Sequence, residues 1–278
     1  LNHFDVTFAE YIRAKKLFFD GLPKGAFALT NADDRNGRVM VQNTAAAVSA
    51  YSLRAMADFR CKIVEMHLDG MLLRIDGQEL WVGLLGRFNA YNLLAVYGAA
   101  VLLGLDRGEV LRVLSMLHAV SGRFEKIRAA NGTTAIVDYA HTPDALENVI
   151  QTIEEIRTPG QQLIVVCGCG GDRDRTKRPE MAAIAVKYAT TAVFTSDNPR
   201  HESPEAILDD MVAGLEPGAR YLRIADRAEA IRTAVMLSRP GDIILVAGKG
   251  HETYQIVGDV KHPFDDREEI KKRFALLN

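Results

Sequence analysis

The chain has 278 residues, of which 48% are hydrophobic and 25% are charged, and its formal net charge is -2. This composition is typical of a globular protein, and the length allows two domains. The nearly balanced charge excludes the basic surface by which proteins hold nucleic acid, and no apolar run approaches the roughly 20 residues that cross a bilayer. We therefore expect neither nucleic acid nor a membrane as a partner.

The three cysteines, Cys61, Cys167 and Cys169, fit neither a zinc cluster nor a disulfide framework. We expect reduced thiols and a cytoplasmic protein. The chain opens at Leu1 with no initiator methionine and no segment of signal type after it. From this start we expect the chain to begin inside a longer protein.

The first part of the chain mixes helical and extended patterns. Asp69-Gly70 separates two apolar runs and is a hairpin signal, while residues 7–19 have apolar side chains at helical spacing. The predicted elements are a helix at residues 7–19, strands at 26–30, 60–68, 71–75 and 80–84, and helices at 89–103 and 107–118. We expect an α/β domain with an inserted antiparallel meander, ending near Ser121-Gly122.

From residue 134 onward, strands and helices alternate strictly. The strands are predicted at residues 134–137, 162–167, 191–195, 221–224 and 242–246, and the helices at 143–156, 179–188, 204–215, 228–237 and 266–275. Such alternation predicts βαβ crossovers and a mainly parallel, doubly wound sheet. The predicted fold class of the whole chain is therefore α/β.

Four strands of this second part run directly into polar loops, and open parallel sheets form their crevices at the carboxyl ends of strands. The four loops lie at residues 138–143, 168–174, 197–200 and 247–252. The glycines at residues 168–171 allow the backbone to approach a ligand or to hold an anion. A tight strand-to-helix connection explains those glycines equally well.

The loop Asp197-Asn198-Pro199-Arg200 combines groups that recognise an ammonium with a group that recognises a carboxylate. Arg200 and Arg173 offer planar forks suited to carboxylate or phosphate, although each alone is more often a surface ion-pair partner. Asp197 and Glu252 are equally well explained singly as charges at helix starts. Their joint placement favours a binding site.

His141 follows Asp138 by three residues, which is compatible with an acid/base pair or with a role in a turn. The sequence contains no Gly-x-x-x-x-Gly-Lys-[Ser/Thr] loop, so Gly248-Lys249-Gly250 is not a phosphate loop of that type. It also contains neither a Gly-x-Ser-x-Gly elbow nor a His-Glu-x-x-His metal motif.

Five motifs in order resemble the Mur ligase family, and the resemblance covers essentially the whole chain. They are Gly122-Arg123-Phe124-Glu125, Asp138-Tyr139-Ala140-His141-Thr142-Pro143, Gly170-Gly171-Asp172-Arg173-Asp174 with Lys177-Arg178-Pro179, Asp197 to Arg200, and Gly248 to Glu252. The resemblance implies that residues 1–120 are the later part of a central ATP-binding domain. It implies that residues 121–278 are a Rossmann-like C-terminal domain that binds an amino acid.

The activity implied by the resemblance is ATP-dependent amide ligation in peptidoglycan precursor synthesis. Within the family, the resemblance is to the branch that adds meso-diaminopimelate to UDP-N-acetylmuramoyl-L-alanyl-D-glutamate through an acyl phosphate, with ATP and Mg²⁺ as cofactors. The family's nucleotide-sugar domain and phosphate loop would lie upstream, so the nucleotide-sugar substrate would be held mainly outside this chain. We expect the chain alone to be inactive, and its parent to be a monomer.

Several site residues of the first part are implied only by this resemblance. Lys15, in Tyr11-Ile12-Arg13-Ala14-Lys15, matches a family lysine that is carbamylated; a carbamate is an anion able to help hold Mg²⁺, and forming it needs the neutral amine. Asn31, Asn89 and Asn92 match positions that bind ATP.

The resemblance also assigns three residues of the second part to ATP. Arg123 would approach the phosphates, Asp138 would lie near the nucleotide as a further catalytic residue, and His141 would join the ATP-binding set.

The amino-acid site is the most specific assignment that follows from the resemblance. Each end of meso-diaminopimelate has a carboxylate and an ammonium. Arg200 and Arg173 would take the distal carboxylate, and Asp197, Asn198, the Gly248 carbonyl and Glu252 would hold the ammonium, with Pro199 shaping the loop. Lysine lacks that carboxylate and would leave Arg200 unpaired, at a cost of about 2 to 5 kcal/mol.

Other functions remain as alternatives at this point. A lysine-adding sister ligase shares the fold, but Arg200 argues against it; a folate polyglutamate synthetase lacks the Asp197 to Arg200 loop. A dinucleotide-binding oxidoreductase would explain the glycines, but the acidic residue expected about 20 residues further on is missing. A non-catalytic ligand-binding fragment is the last alternative.

Overall fold

The computed structural model describes residues 8–277. Two expectations concern residues outside this range: the start of the chain at Leu1 and the beginning of the first helix at Thr7. The chain divides into two compact units, one ending at His118 and the other beginning at Ala119. Within the described residues, no helix has the length and apolar character needed to span a membrane.

The first unit is built around a five-stranded sheet in the order β1-β2-β3-β4-β5. Its elements are α1 (Phe8–Asp20), β1 (Phe27–Asn31), α2 (Gly37–Met40), β2 (Ala47–Ser52), β3 (Phe59–His67), β4 (Gly70–Ile75), β5 (Gln78–Val82), α3 (Arg87–Leu102) and α4 (Arg107–Ser115). The strands β1, β2 and β3 are parallel, and β3, β4 and β5 are antiparallel neighbours. The predicted meander in an α/β domain is thus confirmed.

The core of this unit lies between the sheet and α3. Met71, Leu73 and Ile75 alternate along β4 and are fully buried, as expected for a strand with one covered face. Helix α3 approaches the sheet closely at Gly98, where a Cβ would come within 2.9 Å of the Phe59 ring. A larger residue at position 98 would therefore push the helix away from the strands.

The second unit is a six-stranded sheet in the order β10-β9-β8-β11-β7-β6. Its elements are β6 (Glu125–Arg128), β7 (Thr134–Asp138), α5 (Pro143–Ile156), β8 (Leu163–Cys169), α6 (Lys177–Tyr188), β9 (Thr191–Ser196), α7 (Pro204–Val212), β10 (Tyr221–Arg223), α8 (Arg227–Leu237), β11 (Ile243–Ala247), β12 (Tyr254–Val257), β13 (Val260–Pro263) and α9 (Asp266–Phe274). All neighbours in the large sheet are parallel except β6 and β7. This doubly wound sheet confirms the predicted fold class.

Helices cover the large sheet in two groups. Helices α5, α6 and α7 pack side by side, while α8 packs against α9. The apolar residues of α8 and α9 form one core with alternate residues of the strands, among them Val137, Val166 and Val246. Strands β7, β8 and β11 are buried along their whole length, which explains why they appear in the sequence as continuous apolar runs.

Candidate active site

The four polar loops of the second unit lie at one edge of its sheet. In the strand register, Ala247 at the end of β11 pairs with Asp138 at the end of β7, and Cys169 at the end of β8 pairs with Ser196 at the end of β9. The loops that follow these strands therefore start side by side, as the sequence predicts for parallel strands.

Asp138 holds the loop that carries Arg123. Its Oδ2 accepts a hydrogen bond from the Phe124 backbone N–H at 2.8 Å, and its Oδ1 accepts one from the Ala140 N–H at 2.8 Å. Burial raises the pKa of this carboxyl, and the two N–H donors and Arg123 oppose that rise. Both carboxylate oxygens are thus committed to backbone donors, and Asp138 is not paired with His141.

Aromatic rings gather beside this loop. The Arg123 guanidinium lies 4.8 Å from the centre of the Tyr139 ring, and the rings of His141 and His251 lie 4.6 and 5.3 Å from it. The His141 Nδ1 is 2.8 Å from the Tyr139 carbonyl oxygen, which is a contact within the turn. The cluster offers flat ring surfaces next to a cation.

Arg200 is fixed by its backbone and by its side chain. Its φ of 51° lies in the left-handed region, and its N–H and C=O bond to the Ile256 carbonyl at 3.0 Å and the Gly258 N–H at 2.7 Å. Its guanidinium Nη1 donates to the Gly171 carbonyl at 2.8 Å and is 3.4 Å from the Asn198 carbonyl. The β12–β13 hairpin and the glycine loop therefore hold Arg200 from two directions.

The glycine loop packs against the recognition loop. A Cβ on Gly171 would lie 1.9 Å from the Pro199 carbonyl oxygen, and a Cβ on Gly168 would lie 2.2 Å from the Thr195 carbonyl oxygen. Both glycines are therefore required by backbone packing. At Gly170, a Cβ would lie 2.9 Å from Nη1 of Arg200 and 3.7 Å from Cγ of the exposed Arg173. The two predicted carboxylate-binding arginines are thus neighbours.

Arg178 supports the glycine loop through a hydrogen bond to its backbone. Sequence reasoning did not assign a role to this residue. Its side chain is fully buried and forms a two-pronged ion pair with Glu202 at 2.8 and 2.9 Å, together with a bond to Asp210 at 2.7 Å. Its Nη2 also donates to the Gly170 carbonyl at 3.2 Å. In the sequence, Arg178 appears only within Lys177-Arg178-Pro179 at the start of α6. That motif does not show that Arg178 pairs with Glu202 and Asp210.

The residues expected to hold a ligand ammonium surround a lysine of the chain itself. The Lys249 Nζ lies 3.0 Å from Asn198 Oδ1, 3.2 Å from Glu252 Oε2 and 3.9 Å from Asp197 Oδ1, and the Lys249 side chain is fully buried. The Asn198 Nδ2 donates to Glu252 Oε2 at 3.0 Å. Sequence reasoning did not include Lys249 in this group.

Gly248 allows this arrangement. Its φ is +119°, and a Cβ there would lie 2.5 Å from Asp197 Oδ2. Any side chain at this position would displace the Asp197 carboxylate.

A buried ion pair connects the strand ends to two helices. Arg227, at the start of α8, bonds to both carboxylate oxygens of Asp266 at 2.7 and 2.8 Å, and both side chains are fully buried. The Arg227 guanidinium also donates to the carbonyl oxygens of Ser196 at 3.3 Å and Ala247 at 3.0 Å. These two residues directly precede Asp197 and Gly248.

The remaining predicted residues lie in the first unit. Lys15 is exposed on α1, with its Nζ 5.6 Å from the centre of the Tyr11 ring. Asn31 Oδ1 accepts from the Asp33 N–H at 2.9 Å, which is a turn contact, and Asn89 donates to the Leu85 carbonyl at 2.7 Å. Asn92 Nδ2 lies 3.5 Å from Asn89 Oδ1. Within residues 8–277, no three His, Cys, Asp or Glu side chains converge as a metal site.

Comparisons with known proteins cover both units. Residues 2–100 match the Mur ligase middle domain, and residues 122–250 match the Mur ligase glutamate ligase domain. The chain is 57% identical over 278 residues to the UDP-N-acetylmuramoyl-L-alanyl-D-glutamate--2,6-diaminopimelate ligase of Parabacteroides distasonis. That match includes 99% of this chain and 57% of the relative, so the chain spans a little over half the length of that protein.

Solved structures give the same result. The structure of a UDP-N-acetylmuramoyl-L-alanyl-D-glutamate--2,6-diaminopimelate ligase matches 99% of this chain and 58% of its own, with 36% identity and a TM-score of 0.63. A MurF ligase from Thermotoga maritima, solved in complex with ADP, matches 96% of this chain and 57% of its own at 16% identity, with a TM-score of 0.68, which shows the shared fold. The chain belongs to the Mur ligase family, and its two units match the family's middle domain and glutamate ligase domain.

Proposed function

We propose that the protein containing this chain is the ATP-dependent ligase that adds meso-diaminopimelate to UDP-N-acetylmuramoyl-L-alanyl-D-glutamate. The amide would form through an acyl phosphate, in the synthesis of a peptidoglycan precursor and hence in cell-wall growth, shape and division. The proposal includes a cytoplasmic location and a monomeric enzyme. Its support is the identity of 57% over 99% of the chain to a relative with that printed name.

The observation that carries the substrate assignment is the position of Asn198 between groups of opposite charge. Its carbonyl oxygen accepts from the Gly171 N–H at 2.9 Å and lies 3.4 Å from the Arg200 guanidinium, while its side chain bonds to Glu252. One residue thus sets the spacing between a cation and an acidic group. A substrate end with a carboxylate beside an ammonium matches this pattern, and lysine, without the second carboxylate, does not.

We propose that Arg123 and the rings of Tyr139 and His141 take part in binding ATP. A guanidinium beside flat rings suits phosphate and nucleobase, and ATP would supply the phosphoryl group that activates the glutamate carboxylate. The proposal also keeps two predictions for the first unit: ATP binding by Asn31, Asn89 and Asn92, and a role of Lys15, as a carbamate, in holding Mg²⁺. Among residues 8–277, no three His, Cys, Asp or Glu side chains converge as a metal site, so the residues present do not by themselves complete a site for Mg²⁺.

The test is calorimetric titration of a full-length ligase containing this chain with meso-diaminopimelate and with L-lysine. Arg200→Ala should weaken diaminopimelate binding at least about thirtyfold, since about 2 kcal/mol or more depends on a desolvated charge pair. It should remove the penalty on lysine and leave the Kd for ATP nearly unchanged. Arg220→Ala removes an exposed arginine before β10 and is the matched control. Equal losses for diaminopimelate and ATP would contradict the assignment.

A further inference from the structure

Lys249 lies inside the group of side chains that the proposed function assigns to the substrate ammonium. Its Nζ contacts Asn198, Glu252 and Asp197, and none of its side chain is exposed. A fully buried lysine is rare because desolvation of an ammonium costs several kcal/mol unless anions compensate it. Its position therefore has to be explained by the two carboxylates beside it.

We propose that Lys249 is a positioning residue that keeps Asp197 and Glu252 charged, apart and aimed at the substrate ammonium. This inference rests on the proposed function, because it assigns a role within the same amino-acid site. Lys249 does not itself touch the substrate; it acts through the two carboxylates.

The charge count explains why such a residue is needed. Two carboxylates and one ammonium leave the group with a charge of minus one, which a single substrate ammonium neutralises. Without Lys249 the group would hold the Asp197 and Glu252 carboxylates with no ammonium beside them. Two carboxylates that share a site without a cation repel each other, which favours the uptake of a proton. A proton would then compete with the substrate ammonium for the same oxygen.

Arg227 cannot take the place of Lys249 there. Arg227 faces Asp197 from α8, but its guanidinium is committed to Asp266 and two carbonyl oxygens. The other groups that face the cluster are two phenols and a thiol, which supply no cation: Tyr139 after β7, Tyr254 at the start of β12 and Cys169 at the end of β8. Arg123 lies beyond Tyr139, over its ring.

The experiment measures the Kd for meso-diaminopimelate from pH 6 to pH 8.5, by calorimetry on the full-length ligase. The variants are Lys249→Met, which removes charge and hydrogen bonds, and Lys249→Gln, which keeps a hydrogen-bond donor without the charge. Lys261→Met is the matched control, because Lys261 is exposed and its Nζ lies 4.3 Å from the centre of the Tyr254 ring that Lys249 also faces.

The expected result is a pH dependence that the wild type lacks. Where a proton competes for the site, the Kd falls by up to about tenfold for each unit of rising pH, since one pKa unit corresponds to a factor of ten. Both Lys249 variants should show this dependence relative to wild type, with an unchanged Kd for ATP. The Lys261 control should follow the wild type at every pH. A purely structural role would raise the Kd by the same factor at every pH.

A uniform rise in Kd for both Lys249 variants would overturn the proposal and leave the proposed function intact. A wild type that does not prefer diaminopimelate to lysine would overturn the proposed function instead. If neither single variant folds, the double variant Lys249→Met with Glu252→Gln is measured, because it restores the charge of minus one to the group. This double variant should fold, and its Kd for meso-diaminopimelate should be weak and independent of pH. Failure of that double variant to fold would also count against the charge balance.

Discussion

Asp33 lies two residues after Asn31 in the first unit, and its carboxylate accepts several hydrogen bonds. Its carboxylate accepts from the Ser52 hydroxyl at 2.7 Å, the Leu53 N–H at 2.8 Å and the Tyr91 hydroxyl at 2.8 Å. Burial acts to raise the pKa of this carboxyl, but the hydrogen bonds together outweigh burial and lower it. Burial and Asp33 raise the pKa of Tyr91 to about 12.

This lowered pKa predicts how stability depends on pH. A carboxyl whose pKa is lower in the folded state contributes stability above its ordinary value of 3.8, and that contribution is lost as the pH falls through the lowered pKa. Asp33→Asn should therefore reduce the free energy of unfolding by about 1 kcal/mol at pH 7, and by progressively less below pH 4.

The measurement is urea unfolding followed by the fluorescence of Trp81, the single tryptophan, which lies in the same unit. Asp34→Asn changes the exposed neighbouring carboxylate and is the control. A difference between Asp33→Asn and wild type that stays constant from pH 7 to pH 3 would show that the hydrogen-bonded carboxylate is not the source of the stability.

At this scale, sequence reasoning named candidate site residues that occur in motifs and did not name side chains whose partners are distant along the chain. Arg200 and Asp197 could be predicted because they stand together after one strand. Arg178 and Lys249 could not, because Arg178 pairs with Glu202, 24 residues away along the chain, and Lys249 contacts Asn198, 51 residues away, as well as its near neighbour Glu252. Whether a charged side chain is exposed or buried in a pair depends on the tertiary fold.

The Arg227–Asp266 pair is the main polar connection between elements at the site. It joins the first turns of α8 and α9 to the ends of β9 and β11. Removing one member leaves a buried charge without its partner. Replacing both members by apolar residues leaves no buried charge. Arg227→Met alone should therefore cost about 3 to 5 kcal/mol, and the double variant Arg227→Met with Asp266→Leu should lie within about 1 to 2 kcal/mol of wild type.

Urea unfolding followed by circular dichroism checks this prediction through a double-mutant cycle. The exposed pair Arg232 and Glu229 on α8, with nitrogen and oxygen 3.0 Å apart, is the control, and its removal should cost less than about 1 kcal/mol. If the two single changes at Arg227 and Asp266 added up in the double variant, the buried pair would have no coupling energy.

Sequence reasoning also missed α2 and the inner strand β2, which lies between β1 and β3. Two further missed strands, β6 and β13, have no covered apolar face. Strand β6 alternates half-buried and exposed residues and is predominantly charged, and β13 is exposed throughout. Such edge strands are defined by their partners, so propensity alone does not identify them. The turn at Gly258-Asp259 was the available signal for the β12–β13 hairpin, with Gly258 at a φ of 57°.

At the scale of the whole molecule, the fold class followed from the sequence because the buried strands are long and apolar. Both units also bury their cysteines: Cys61 lies in the first, and Cys167 and Cys169 lie in the second. Burial raises the pKa of Cys61 and of Cys169 to about 12 and also raises that of Cys167. Thiols of this kind react only after the surrounding structure opens.

We expect each thiol of the native protein to react with a thiol reagent at pH 8 at least about a hundredfold more slowly than in guanidinium chloride. Peptide mass spectrometry separates Cys61 from the other two and so measures the opening of each unit by itself. Labelling of any one cysteine at the rate of the unfolded chain would contradict the burial described above.

The contact between Arg200 and Gly171 also constrains how substrate preference can evolve. The guanidinium that would select a second carboxylate donates to the Gly171 carbonyl, and the Arg200 backbone has a positive φ that asparagine or glycine would adopt more readily. A lineage that exchanged the diamino diacid for lysine by losing Arg200 would lose a support of its glycine loop in the same step. A single loss of Arg200 would therefore remove the proposed carboxylate contact and this support of the glycine loop together.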